Sequence, residues 1–564
     1  MKPWLDLYPD EIPATLNYSE DLIHESLIHT AEKYPNKIAI HFMGNELTYK
    51  NLYEISYHFA SYLQSLGVAK GDRVAIMLPN IPQAVISYFA ILMAGGIVVQ
   101  TNPLYMEREL EYQMKDSGAK VIITLDILYP RVCKVMPRTE LDHIIVTAIK
   151  DYLPFPKNLL YSSIQKKQTG IDVTVRHKGN THLFTQILKQ KVGKLKKPGC
   201  NFEEDIAILQ YTGGTTGFPK GVMLTHKNLV SNTIMCNAWL YKCRHGQETI
   251  LGILPLFHVY GMTTVMLLAV MRAYKMVLMP KFDVKLTLKT IQKQHPTIFP
   301  GAPTIYIGLL NTPKIKKYNL SSIDCCISGS APLSVEVQDK FEKVTSGRLV
   351  EGYGLTEASP VTHANFLWDH PRVKGSIGVP WPDTDAAVIS LETGERLPFG
   401  EIGEIVVKGP QVMKGYWNRP EETEMVLREG WLYTGDVGYM DERGYFYVVD
   451  RKNDVIIAGG FNIYPREVEE VLYEHPDIQE AVAVGIPDPY RGETVKAFVV
   501  LKEGSELTVE ELNKFVRKFL AAYKVPRVYE FRHELPKTAV GKILRRVLID
   551  EERKKNDNSI KRTV

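Results

Sequence analysis

Paired cysteines are missing from this 564-residue chain. Cys133, Cys200, Cys236, Cys243, Cys325 and Cys326 show no CxxC spacing, which argues against a zinc framework and a disulfide scaffold and fits a reducing cytoplasm. A secretory leader is missing too: Asp6, Asp10, Glu11, Glu20 and Asp21 interrupt the first thirty residues, where no apolar core segment occurs. Export is therefore not expected. Nor is there a clean run of about 20 apolar residues of the kind that spans a bilayer. The two longest uncharged stretches, Met77–Met106 and Ile250–Met271, are broken by Pro79, Asn80, Pro82 and Gln83, and by Pro255 and His258. They read as buried helices and strands. No internal repeat is visible.

What is present is an ordinary globular composition, 45% hydrophobic and 23% charged, long enough for roughly three to four domain-sized units. The net charge of +4 conceals an asymmetry. Residues 150–198 hold eleven Lys or Arg against Asp151 and Asp172, a local +9 that leaves −5 for the rest. The apolar runs Tyr152–Pro156 and Leu159–Tyr161 interleave with that charge, so the segment reads either as a solvated insertion or as a contact for an anionic lipid surface. No nucleic-acid partner is expected.

From Asp72 to Glu351 strand-like and helix-like runs alternate. Arg73–Leu78, Gly96–Gln100, Lys120–Leu125, Thr249–Leu254, Lys275–Met279, Thr297–Phe299, Ile323–Ser328 and Arg348–Glu351 read as strands. Between them Ile81–Ala94, Asn228–Leu240, Met262–Ala273, Val284–His295, Thr304–Leu310 and Val335–Val344 read as helices. This rhythm predicts an α/β fold with doubly wound, mostly parallel sheets, whose ligands sit at the carboxyl ends of strands. Past Lys374 short apolar runs between turns suggest a small β-barrel-like unit over about 374–449, and past Asp450 a smaller α+β domain is expected. The predicted division is 1–449 and 450–564.

The loop Tyr211–Gly221, YTGGTTGFPKG, organises the reading. Four glycines let backbone N–H groups converge, Thr212, Thr215 and Thr216 add hydroxyls, and Lys220 adds a point charge. That is polyphosphate chemistry, although Pro219 and Gly221 around Lys220 exclude the Walker pattern. Later strings supply the remaining chemistry. Gly329 in SGSAP leaves room for a purine against backbone; in EGYGLTE, Tyr353 can stack on it, Thr356 can bond a phosphate oxygen and Glu357 can hold Mg²⁺. Asp436 in YTGD is suited to accept from ribose hydroxyls. Small residues Gly261, Gly301 and Ala302 suit either a slender apolar tunnel or tight backbone packing.

In order, these strings resemble the adenylate-forming enzymes: acyl-CoA synthetases, peptide-synthetase adenylation domains and luciferases. The resemblance covers about residues 25–550, and Asn102–Tyr105 with Arg108–Gln113, and Lys408–Trp417, are similar to bacterial long-chain fatty-acid CoA ligases. It implies ATP and Mg²⁺ as cofactors and CoA as co-substrate for fatty-acid activation through acyl-AMP. It assigns nucleotide contacts to Thr212, Gly213, Gly214, Thr215, Thr216, Lys220, Gly329, Ser330, Ala331, Gly352, Tyr353, Gly354, Leu355, Asp436 and Arg451. Thr356, Glu357, His258 and Lys542 become catalytic, with Glu357 and Thr216 at the metal. His258, Tyr260, Gly261, Gly301 and Ala302 line the acyl pocket, Asp450 is a hinge, and Gly459, Gly460 and Phe461 line the CoA channel. Acyl transfer to a carrier protein, a different carboxylic acid, or luciferase-type oxygenation of the adenylate are the competing readings. The expected location is cytoplasmic, peripheral at the inner face of the cell membrane; the oligomeric state stays open, a homodimer included.

Overall fold

The computed structural model describes residues 2–169, 175, 179–212, 219–452, 454–458, 461–488, 491–520, 522–538 and 541–561. Two compact units emerge: residues 1–385 with 408–432, and residues 386–407 with 433–564. The β-rich stretch expected over 374–449 is thus divided between them.

The larger unit is built on strands too apolar to face water. Arg73–Met77, Ile97–Gln100 and Val121–Leu125 are buried almost throughout, as strands covered on both faces must be. They lie in an eight-stranded sheet that is parallel from Thr181–Leu183 at one edge to Ile206–Thr212, then turns antiparallel through Lys220–Thr225 to Gly415–Tyr416. The helix Pro82–Ala94 has no exposed residue. Its lack of a polar face explains the uncharged stretch around it, and among the described residues no helix is long and apolar enough to cross a membrane.

A second sheet pairs Ile38–Phe42 with Lys275–Leu278, which in turn pairs with Thr249–Gly252. The strand expected at Thr297–Phe299 shrinks to single bridges, Ile298 linking Ile250 to Cys325. Beyond it Cys325–Ser328 and Arg348–Gly354 run parallel, with Ser328 opposite Glu351. The helix expected over Met262–Ala273 is instead a π-helix at Met262–Leu267 followed by an α-helix at Leu268–Arg272. Such wide i→i+5 turns are rare and cluster at functional sites.

The smaller unit contains an antiparallel pair, residues 436–440 with Phe446–Arg451, and a long hairpin, Ile478–Asp488 with Gly492–Leu501. Helices Pro465–Tyr473 and Val509–Val516 bury Val468, Leu472, Leu512 and Val516 in its core. The second helix ends at Val516, and Leu520 packs into that core from the turn that follows.

Candidate active site

The glycine-rich loop closes a hairpin. Ile206–Thr212 and Lys220–Thr225 pair antiparallel, with Thr212 opposite Lys220. Gly213, Gly214, Thr215 and Thr216 lie outside the described residues. The helix His226–Trp239 starts only after the second strand, capped reciprocally by Thr225 and Asn228. Backbone pairing, rather than a helix N-terminus, therefore fixes Lys220.

Around Lys220 the structure gathers residues that local sequence could not connect. Its ammonium pairs with Glu422 and lies 5.0 Å from the centre of the Tyr416 ring. Tyr416 is held by strand pairing to Val222, and its hydroxyl donates to Glu357 Oε1 at 2.8 Å. Lys220, Tyr416 and Glu357 thus form one chain of contacts. Tyr416 stands in the Lys408–Trp417 string, where it carried no assigned role, and no local signal marks Glu422.

The expected adenine residues meet at the carboxyl ends of adjacent strands. Gly329 follows Cys325–Ser328, and Gly352–Gly354 complete the neighbouring strand. Gly329 N–H donates to the Gly301 carbonyl at 3.1 Å, which draws the Gly301–Ala302 corner into the same cluster. Ser330 has a positive φ of 73°, and Ala331 follows it half-buried. The half-buried Tyr353 ring packs edge-on to His363, whose complete burial lowers its pKa to about 3 and keeps it neutral. Leu355 N–H donates to Pro360 O at 3.0 Å, closing the turn that presents Thr356 and Glu357.

On the acyl side, His258 Nδ1 accepts from Tyr260 N–H at 3.3 Å, capping the short helix Val259–Gly261. Tyr260 is buried, and its hydroxyl donates to Ile327 O at 2.7 Å. A narrow apolar cavity runs beside it, lined by Tyr260, Cys236, Leu240, Thr264, Leu268 and Trp381. Of these only Tyr260 was read from sequence; the others come from two helices and a distant loop. Of the two readings open for the small residues, tight packing holds at Gly261, where a Cβ would stand 2.4 Å from Pro255 O. At Gly301 a Cβ would meet the Tyr306 ring at 2.7 Å. Ala302 is buried as the cap of Pro303–Leu310.

In the smaller unit Asp436 and Arg451 face each other across the strand pair, 2.8 Å apart, with Asp436 nearly sealed from solvent. Lys542 sits in a tight turn, its N–H donating to Thr538 Oγ1 at 3.1 Å. The Arg451 guanidinium, more than burial, lowers the Lys542 pKa to about 8; the exposed outline of the residue agrees with charge as the larger cause. Asp450 accepts from the N–H groups of Arg451 and Arg466, at 2.8 and 2.7 Å. Burial nevertheless pushes its carboxyl up to about 6, despite Arg545 at 3.3 Å. Phe461 opens the strand Phe461–Ile463, paired to Ile456–Ala458, while Gly459 and Gly460 lie outside the described residues.

The metal expectation fits this geometry. Among the described residues no three His, Cys, Asp or Glu converge, but Mg²⁺ takes one or two protein carboxylates and completes its shell with water and phosphate. Glu357, steadied by Tyr416, is such a carboxylate.

Comparison with known proteins agrees with the motifs. The AMP-binding enzyme model matches residues 27–417, and the AMP-binding enzyme C-terminal domain model matches residues 467–542. The long-chain-fatty-acid–CoA ligase of Bacillus subtilis strain 168 is 60% identical over 98% of both chains, and that of Escherichia coli O6:H1 is 41% identical over 99% of both. Among solved structures, ATP-bound MatB from Rhodopseudomonas palustris superposes with a TM-score of 0.82 at 29% identity, covering 94% of this chain and 98% of its own. The anthranilate CoA ligase AuaEII with anthranoyl-AMP gives 0.84 at 26% identity, covering 97% of this chain and all of its own. With both family models matched in order and relatives aligned end to end, the chain belongs to the AMP-binding, adenylate-forming enzyme family.

Proposed function

We propose that the chain is an ATP-dependent long-chain fatty-acid–CoA ligase. The observation that carries this is the full-length 60% identity to a relative of that name. The apolar cavity beside Tyr260 supports a slender hydrocarbon substrate.

A carboxylate is a poor electrophile, so the fatty acid first attacks the α-phosphate of ATP, giving acyl-AMP and pyrophosphate. Lys220 exchanges Glu422 for the departing phosphates, with Thr212 and the loop residues Gly213–Thr216 around them. Glu357 and Thr216 would hold Mg²⁺, which would supply positive charge against the phosphates. Gly329, Ser330, Ala331 and Gly352–Leu355 hold the adenine, Thr356 an oxygen of the α-phosphate, and Asp436 with Arg451 the ribose. His258 gates the acyl pocket beside Tyr260, which Gly261, Gly301 and Ala302 back through tight packing, and Lys542 meets charge that develops on the transferring group. The CoA thiol then displaces AMP through a channel at Gly459, Gly460 and Phe461, after the C-terminal part turns about Asp450. Domain boundaries at 1–449 and 450–564 belong to this reading.

The protein works in the cytoplasm, in peripheral contact with anionic lipid through residues 150–198, and self-association as a homodimer is part of the proposal. Pyrophosphate release across a panel of carboxylic acids, with and without CoA, tests the central reading. Release with fatty acids but no acyl-CoA on adding CoA would shift the assignment to carrier-protein loading.

A further inference from the structure

The helix Lys157–Thr169 wears its apolar residues on the outside. At 100° per residue, Asn158, Tyr161 and Gln165 turn inward, and Gln165 is buried with an amide hydrogen bond to Asp126 at 3.3 Å. The opposite arc carries Leu159, Leu160 and Ile164, which are 68%, 59% and 49% exposed, and Phe155 just before the helix is 79% exposed. Nothing in the core requires this arrangement. The ordinary amphipathic pattern would place these side chains where Gln165 lies.

The charge beside that arc has one sign. Lys157 and Lys166 flank it, Lys167 and Ser163 project from within it, and no Asp or Glu occurs between Tyr152 and Gly170. Lys157 is anchored through its ammonium to Met43 O at 3.0 Å, and Met43 is itself exposed. An apolar arc whose only charged neighbours on the helix are lysines matches an anionic bilayer surface, where hydrocarbon enters the acyl boundary and ammonium groups reach up to the headgroups. A second copy of this chain would bring the same lysines face to face.

We infer that the Lys157–Thr169 helix lies flat in an anionic lipid surface, inserting Phe155, Leu159, Leu160 and Ile164. This deepens the membrane contact proposed above and rests on it, replacing a purely electrostatic attraction with one that has an apolar component.

The test is co-sedimentation of the full chain with vesicles of phosphatidylcholine alone or mixed with phosphatidylglycerol. Combined Leu159→Gln, Leu160→Gln and Ile164→Gln substitution should lower partition to the mixed vesicles about tenfold or more, without changing acyl-CoA formation in vesicle-free buffer. Independently, a Leu160→Trp variant should shift its emission to the blue on mixed vesicles. Unaltered partition of the Gln variant, or unshifted Trp emission, overturns the inference while leaving an electrostatic contact standing. Failure of the parent chain to bind either vesicle overturns both readings. Loss of self-association in the Gln variant, with vesicle binding intact, assigns the face to a second copy and overturns the inference.

Discussion

Arg545 Nη1 lies 3.3 Å from a carboxylate oxygen of Asp450, at the position proposed as the hinge. It is the longest of three contacts made by one guanidinium, which also meets Asp454 at 3.1 Å and Glu469 at 2.6 Å. Glu469 is the dominant partner, and Asp450 is left with a burial penalty that raises its pKa to about 6. A carboxyl raised above its unfolded value of about 3.9 binds more protons folded than unfolded, so its contribution to stability falls as pH rises from about 4 to 6. Asp450→Asn should remove that slope. Urea unfolding at pH 4 and pH 7 should show the variant gaining roughly 1–3 kcal/mol relative to the parent; parallel pH curves would contradict the assignment.

Lys542 should act in one half-reaction only. Lys542→Ala is expected to slow acyl-AMP formation by about 10²–10³-fold, or about 3–4 kcal/mol, while thioester formation from supplied acyl-AMP stays near normal. With a pKa of about 8, Lys542 is charged below that pH, so adenylation should decline as pH rises through 8. Arg451→Gln removes the neighbouring cation and should move that decline upward. A decline at the same pH in the variant would show that another group titrates.

Glu422 pairs with the Lys220 ammonium that is proposed to hold the phosphates. Glu422→Gln frees Lys220 from an internal competitor, and a half-buried pair of this kind is worth about 1 kcal/mol at most. The KM for ATP should fall about two- to fivefold with kcat little changed. A rise in KM would mean that Glu422 positions Lys220 rather than competing for it.

Tyr416 steadies the carboxylate assigned to the metal. In Tyr416→Phe, Glu357 loses one hydrogen bond, worth about 1 kcal/mol, and the Mg²⁺ concentration for half-maximal pyrophosphate release should rise about fivefold. Glu357→Gln should cost far more, about 10²-fold in rate. Identical Mg²⁺ curves for Tyr416→Phe and the parent would separate Glu357 from the metal.

Chain-length preference should respond at the cavity wall. Cys236→Phe projects a ring into the space beside Tyr260 and should favour shorter acids, at an overpacking cost of about 1–3 kcal/mol. Gly261→Ala, whose new methyl would strike the Pro255 carbonyl, should destabilise without altering preference. A competition assay with mixed acids and a melting curve distinguish the two outcomes.

The parts of this site that the sequence revealed are those written in one contiguous string. The strand-end motifs SGSAP and EGYGLTE stand at the ends of their strands, because alternation of apolar and polar residues is a local signal. What stayed hidden depends on pairing across long separations. Glu422 reaches Lys220 only because Gly415–Tyr416 adds to the edge strand Lys220–Thr225, and an edge pairing of two residues leaves no periodicity to read. The widened turn at Met262–Leu267 was hidden for another reason: π and α turns share composition and differ in which carbonyl each N–H selects. At Gly261 the residue type was consistent with a pocket wall, but only the coordinates show which atoms approach the missing Cβ.

The pairing of Ile38–Phe42 with Lys275–Leu278 also sets a timetable for synthesis. One edge of the early strand pairs at once with Asn45–Thr48, but the partner of its other edge follows more than two hundred residues later, a delay of roughly 10–50 s at about 5–20 residues per second. The wholly buried helix Pro82–Ala94 emerges in that interval, and Asn80 just ahead of it finds its amide acceptors only at Gly252 and Leu254. The nascent N-terminal third should therefore expose apolar surface during translation, and ribosome-associated chaperones are expected to recognise it.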